Sequence, residues 1–95
     1  MARSPELVDL ARGFGLLSDP TRLDILNVLT AGPRNVSALY KAVNRNQQTV
    51  GHHLGLLRLG RLVVGTRKGK TVEYGVDTVT LKQLAVGLAK ITPRK

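Results

Sequence analysis

With 95 residues the chain is read as one small domain spanning 1–95, with no room for a separate catalytic module. Fifteen Lys and Arg against six Asp and Glu leave a net charge of +9, which excludes an acidic solvating chain and points to a polyanionic partner. Hydrophobic residues are 42% of the sequence, enough to pack a core, whereas the 3% of aromatic residues (Phe14, Tyr40 and Tyr74) are too few for the stacking platforms of a single-strand or RNA-loop binder. Double-stranded DNA is the better-matched polyanion. Cysteine is absent, which removes disulfides, thiolate metal sites, thiol redox switches and cysteine nucleophiles. No apolar run approaches the roughly eighteen residues that span a bilayer. Glu6 and Asp9 interrupt the stretch where a signal peptide is apolar, so a cytoplasmic protein with no membrane partner is expected.

Leu7, Leu10, Ala11, Phe14 and Leu17 recur at i, i+3, i+4, i+7 and i+10, which predicts a first helix over 5–17 with one apolar stripe. Asp19 followed by Pro20 reads as the start of a second helix, because the carboxylate can accept from an orphan backbone N–H and proline at the first helical position has none to lose. Leu23, Ile25, Leu26, Val28 and Leu29 make that helix apolar on most of its circumference, so deep burial is expected, and Gly32-Pro33 ends it. Asn35 is placed to cap a short third helix over 36–43, with Val36, Leu39 and Val43 on one face. Asn44-Arg45-Asn46 supplies a turn and a second Asn cap. A fourth helix then runs from Gln47 to about Leu59, with Val50, His53, Leu54 and Leu57 on its inner stripe and Gly60 placed to stop it.

Residues 62–67 and 71–76 are two β-rich runs around Lys68-Gly69-Lys70, a hairpin with a basic tip. Val72, Tyr74 and Val76 alternate with Thr71, Glu73 and Gly75, so one face is covered and the other wet, and Tyr74 belongs with the core. Leu81, Leu84, Ala85, Leu88 and Ala89 mark a fifth helix over 81–90, ahead of the tail Thr92–Lys95. The fold class is therefore mainly α with a small β-hairpin: four helices, two strands and a final helix, the layout of a winged helix-turn-helix with its helix pair at 36–59 and its wing at 62–76.

The charges are segregated along this layout. Every acidic residue lies at or before Asp24 or at or after Glu73, while Arg34, Lys41, Arg45, Arg58, Arg61, Arg67, Lys68 and Lys70 fill the interval with no acid among them. The outward face of the fourth helix comprises Gln47, Gln48, Thr49, Gly51, His52, Gly55 and Arg58. Glutamine can pair adenine in a bidentate manner, threonine offers a hydroxyl and a methyl, and arginine forks onto guanine or phosphate. Arg45 and Asn46 in the preceding turn, and Arg67, Lys68 and Lys70 at the wing tip, complete the candidate DNA contacts, the wing contributing mainly sequence-independent affinity. Both terminal helices carry apolar stripes, and a chain this short has a limited core of its own. Leu7, Leu10, Phe14, Leu81, Leu84 and Leu88 are thus candidate residues of a homodimer interface. Such a dimer presents its two reading helices about 34–36 Å apart and calls for inverted half-sites.

Three runs in order resemble one family. They are Phe14-Gly15-Leu16-Leu17-Ser18-Asp19-Pro20-Thr21-Arg22-Leu23-Asp24-Ile25-Leu26, then Thr49-Val50-Gly51-His52-His53-Leu54-Gly55-Leu56-Leu57-Arg58-Leu59-Gly60-Arg61-Leu62-Val63, then Gly69-Lys70-Thr71-Val72-Glu73-Tyr74. Together they look like the ArsR/SmtB family of transcriptional repressors, over nearly the whole chain. The resemblance implies a winged helix-turn-helix in each protomer, a homodimer formed by the first and fifth helices, and an operator released by an inducer. It also brings out departures. Where metal-sensing members often place cysteines on the third helix, this chain has Asn35, Ser37 and Tyr40, and the last helix beyond Asp77 offers Lys82, Gln83 and Lys90 in place of Asp and His ligands. Gly51 replaces the small hydroxyl residue usual before the His-Leu pair. Neither metal nor cofactor is expected, and the inducer is unassigned.

His52 and His53 are the two histidines, and adjacent helical positions diverge by about 100°, so they cannot clamp one ion as an i, i+4 pair can. His53 falls on the inner stripe and reads as a packed, hydrogen-bonded residue; His52 faces out. Ser37, Thr49 and the histidines show no spacing that assembles a nucleophile and base, so the chain is not read as an enzyme. The competing classes are a sequence-nonspecific nucleoid or RNA module and a winged helix that docks on protein.

Overall fold

The computed structural model describes residues 4–93. In chain order it comprises α1 (Pro5–Leu17), α2 (Pro20–Leu29), β1 (Arg34–Asn35), α3 (Val36–Ala42), α4 (Gln47–Leu59), β2 (Val63–Lys68), β3 (Thr71–Val76) and α5 (Thr78–Lys90). Five helices and an antiparallel β2–β3 hairpin thus stand where the sequence places them. The last two residues of the expected tail, Arg94 and Lys95, lie outside the described residues.

The helix starts rest on the side chains that the sequence singles out. Asp19 accepts from the Arg22 N–H at 3.1 Å, Asn35 from Ala38 at 2.8 Å, and Asn46 from Thr49 at 2.8 Å. The helix stops are more varied. Between α3 and α4, Asn44 turns the chain with a φ of 56°, and the Arg45 N–H reaches back to the Tyr40 carbonyl at 3.1 Å. Asparagine tolerates this left-handed conformation better than most residues. At the end of α4 the left-handed residue is Arg61 (φ 61°), not Gly60, and Leu62 N–H closes on Leu57 at 2.9 Å. Gly60 is required there for room instead: a Cβ on it would overlap the Leu16 side chain of α1.

Three features differ from the sequence reading. The hairpin is part of a three-stranded sheet in the order β1-β3-β2, because Arg34 and Asn35 pair antiparallel with Tyr74 and Glu73. A two-residue strand has no periodicity of its own and is defined by its partner. Next, α5 begins at Thr78 rather than 81, since Asp77 caps it by accepting from the N–H groups of Val79 and Thr80. The β-branched Thr78-Val79-Thr80 run hides that first turn from a propensity reading. Finally, α2 is less deeply sunk than its composition suggests. Ile25, Leu26 and Leu29 are buried, but Leu23 is 49% exposed.

The core is one cluster: Ile25, Leu26 and Leu29 of α2, Leu39 of α3, Val50, Leu54 and Leu57 of α4, Leu62, Val63 of β2 and Leu84 of α5. Each such side chain, fully buried, stabilises the fold by about 1.5–3 kcal/mol. Helix α1 contributes no fully buried residue; Leu10, Phe14, Leu16 and Leu17 lie against the cluster from outside. It is held to α5 by two reciprocal notches. Leu84 fills the space at Gly13, and Leu10 fills the space at Gly87, where an added Cβ would stand 2.6 Å from Leu10 Cδ1. Among the described residues no helix is long and apolar enough to cross a membrane.

Candidate nucleic-acid interface

Burying Val50, Leu54 and Leu57 fixes which side of α4 faces away from the protein. Gln47, Gln48, Gly51, His52, Gly55 and Arg58 are all exposed on that side, together with Arg45 and Asn46 in the turn before it. Thr49 is half-buried at the edge of the face, and Asn46 already uses its side-chain oxygen as the cap of α4, which leaves its amide group as a donor. Nothing of the protein lies within 4 Å of where a Cβ would sit on Gly51 or Gly55, so the helix backbone is bare at two points one turn apart.

Beyond α4 the chain enters the wing. Lys68 pairs with Thr71 across the tip, Gly69 takes a φ of 63° that glycine adopts freely, and Arg67, Lys68 and Lys70 are all exposed. Successive strand residues alternate in direction, so Arg67 and Lys68 spread their charges to opposite faces of the ribbon. Val63, Tyr74 and Val76 lie on or against the core side, as expected for Tyr74 and Val76, but Glu73 and Gly75 are half-buried rather than wet, since β1 lies beside β3; Val64 and Thr66 of β2 are exposed.

Electrostatics single out the same surface. Among the described residues no Lys or Arg of α3, α4 or the wing has a carboxylate within 4.0 Å; the Lys or Arg ion pair is Arg12–Asp9, on the surface of α1, and Asp19 lies beside His53 at 3.8 Å. The cations of this face are therefore uncommitted. Lys41 at the end of α3 is exposed as well, whereas Arg61, exposed after α4, lines the groove between α1 and α5.

Sequence reasoning missed a residue behind this face. Arg22, in the first turn of α2, donates from Nε to the Leu16 carbonyl at 2.6 Å and from Nη2 to the Gly15 carbonyl at 3.4 Å, both in the last turn of α1. Its Nη1 lies 3.2 Å from Nδ1 of His53. A signal was available: a cation in the first turn of a helix opposes the helix dipole, which suggests that it is held by something else. Here the something else is the carbonyl end of α1, where a cation is favourable. His53 is packed and hydrogen-bonded, as its place on the inner stripe predicts, with Asp19 Oδ2 3.8 Å from Nδ1. The Arg22 backbone N–H holds the Asp19 carboxyl below its ordinary range, against an opposing contribution from burial.

The candidate dimer residues separate into two groups. Leu7 and Leu88 are half-exposed, at 50% and 49%, while Leu10, Phe14 and Leu81 are partly covered by the core. Leu84 is turned inward and belongs to the protomer's own core. Val8, Val79 and Val86 are exposed on the same two helices off the stripes, and Val79 and Val86 line the groove between α1 and α5 with Leu10 and Leu84. Among the described residues no three of His, Cys, Asp or Glu lie close enough together to hold a metal ion.

A short helix pair with one exposed polar helix, followed by a basic ribbon, defines a winged helix-turn-helix. Comparison with known proteins agrees. A helix-turn-helix domain family matches residues 17–66. The HTH-type transcriptional regulator NmtR of Mycobacterium tuberculosis (strain H37Rv) is 40% identical over 81 residues, covering 85% of this chain and 68% of that protein. The transcriptional repressor SdpR of Bacillus subtilis (strain 168) is 30% identical over 69 residues, covering 73% and 77%. An ArsR-like transcriptional regulator from Rhodococcus sp. RHA1 superposes with a TM-score of 0.83 at 29% identity over 90% of this chain and 80% of that one. A homodimeric winged helix-turn-helix DNA-binding domain from Mycobacterium bovis superposes at 0.76, with 27% identity over 95% and 88%. The chain belongs to the ArsR/SmtB family of helix-turn-helix transcriptional regulators.

Proposed function

We propose that this regulator is a homodimeric repressor that binds a double-stranded operator with inverted half-sites. The carrying observation is the exposed, acid-free face of α4, followed in the chain by a wing whose cations have no carboxylate partner among the described residues. On this reading α4 enters the major groove, where Gln47, Gln48 and Thr49 meet base edges and Arg45, Asn46, His52 and Arg58 meet bases or flanking phosphates. Arg67, Lys68 and Lys70 lie along the phosphate backbone and supply affinity without sequence information.

The dimer rests on α1 and α5. Leu7, Val8, Val86 and Leu88 are at least a third exposed in the isolated protomer, and a second copy would cover them together with Leu10, Phe14 and Leu81. Leu84 supports that surface from beneath. SdpR is named a repressor and the M. bovis domain is described as homodimeric, which supports both assignments. The expected cytoplasmic setting follows from the DNA partner. With no thiolate available, an inducer would act through chemistry other than soft-metal coordination.

The deciding experiment is titration of the purified protein onto the duplex upstream of its own gene and onto a scrambled duplex, across a salt series. A specific regulator prefers its site by on the order of 10³ or more. Equal affinity for both, with a salt slope accounting for nearly all the binding, would replace this reading with a nonspecific nucleoid module.

A further inference from the structure

We propose that Arg22 is a positioning residue for DNA binding, setting the rotation of α4 from the end of α1 through a neutral His53. The inference rests on the proposed function for its readout, but its geometry is independent. The inner face of α4 is held mainly by Val50, Leu54 and Leu57, whose contacts are apolar and non-directional. Such contacts resist separation better than they resist rotation about the helix axis. A rotation of about 20° moves an atom roughly 6 Å from the axis by about 2 Å, enough to break a hydrogen bond to a base edge.

Against this background α4 makes one directional tie. Among the described residues, the contact between Arg22 Nη1 and His53 Nδ1, at 3.2 Å, is the only side-chain hydrogen bond that joins α4 to another element. A guanidinium can only donate, so Nδ1 accepts and the neutral ring carries its proton on Nε2. Asp19 Oδ2, 3.8 Å from Nδ1, is beyond hydrogen-bond range and does not compete for that atom. The other two nitrogens of the Arg22 guanidinium donate to the Leu16 and Gly15 carbonyls, so the group bridges the last turn of α1 and the middle of α4 while rooted in α2. A lysine here keeps the charge near the α1 carbonyls but cannot present this planar fork.

The test compares Arg22→Lys, His53→Leu and His53→Asn with the wild-type protein. Asn retains an acceptor near the place of Nδ1, whereas Leu fills the space without one. Circular dichroism checks folding, operator affinity reads the positioning, and amide exchange across Val50–Leu57 reads the motion of α4. Arg22→Lys and His53→Leu, folded, are expected to weaken operator binding by about tenfold and to speed exchange in α4, with a double variant no worse than either alone. His53→Asn is expected to stay within about threefold of wild type.

Unchanged affinity in folded Arg22→Lys and His53→Leu would overturn the proposal, as would equal losses in His53→Asn and His53→Leu. Should the substitutions prevent folding, nitrogen NMR of the wild-type imidazole decides: a ring protonated on Nε2 alone supports the tie, and a proton on Nδ1 refutes it. Absence of any wild-type preference for the operator would instead sink the proposed function, leaving the exchange and imidazole measurements to judge Arg22.

Discussion

The surface formed by α4 and the wing and the surface formed by α1 and α5 are built on opposite physics. The first is exposed, polar and cationic, with its acids excluded and its backbone bare at Gly51 and Gly55. The second is half-exposed and largely apolar, and the groove of about 990 Å³ between its helices and the end of α4 is lined by charges of both signs, Glu6 and Asp9 with Arg12, Arg61, Lys82 and Lys90. Salt should govern whatever the first surface binds, and protein concentration whatever the second one does. A two-fold regulator needs both, because affinity for a paired site is the product of one helix's contacts and the linkage between two.

That linkage predicts the largest effect. Leu88→Asp and Leu7→Asp place a carboxylate at half-exposed positions, so the isolated protomer can solvate it, whereas a dimer seam would bury it unpaired. Sedimentation is expected to show monomers. Operator affinity should fall by about 10²–10⁴, the usual worth of tying two binding modules together. A dimer that survives Leu88→Asp would place the seam elsewhere.

The wing provides the contrasting case. Replacing Arg67, Lys68 and Lys70 together by alanine is expected to leave the dimer intact and to weaken binding on the order of tenfold, for operator and scrambled duplex alike. The slope of log affinity against log salt should flatten by about 0.9 for each phosphate that the wing no longer neutralises. A loss confined to the operator would mean that the wing reads bases, and an unchanged slope would remove it from the interface.

How much of this the sequence disclosed depended on whether the signal was local. Caps at Asp19, Asn35 and Asn46 and the α4 stripe are short-range patterns, and each stands in the structure as read, whereas the alternation along β3 holds only in part, because Glu73 and Gly75 are half-buried. β1 and the role of Arg22 depend on partners far along the chain, at Glu73 and Tyr74 and at His53, which no window around them contains. Leu84 illustrates the middle case. Its place on the α5 stripe was legible, but whether that stripe faces the core or a second copy turns on Gly13, which lets α1 approach closely enough to receive it. The DNA-facing residues of α4 were legible by subtraction, since burying Val50, Leu54 and Leu57 leaves one side free.

Glycine substitutions put the comparison most directly, because the same change should have opposite signs on the two surfaces. At Gly13 and Gly87 an added methyl meets Leu84 and Leu10, the neighbours that lock α1 to α5. Overpacking of this kind costs about 1–3 kcal/mol, so thermal unfolding of either alanine variant should occur lower by several degrees.

At Gly51 and Gly55 the added methyl meets nothing in the protein, and alanine in a helix interior is favoured over glycine by about 1 kcal/mol per site. Stability should therefore rise by up to about 2 kcal/mol in the double variant. DNA affinity then separates two explanations of why a helix keeps two residues that weaken it. If the bare backbone lets α4 press into the groove, the methyls stand between helix and bases, and operator binding falls even though the protein is more stable. A rise in stability with unchanged affinity would leave Gly51 and Gly55 as exposed positions that nothing presses against, and the reading of α4 would then rest on its glutamines and Arg58 alone.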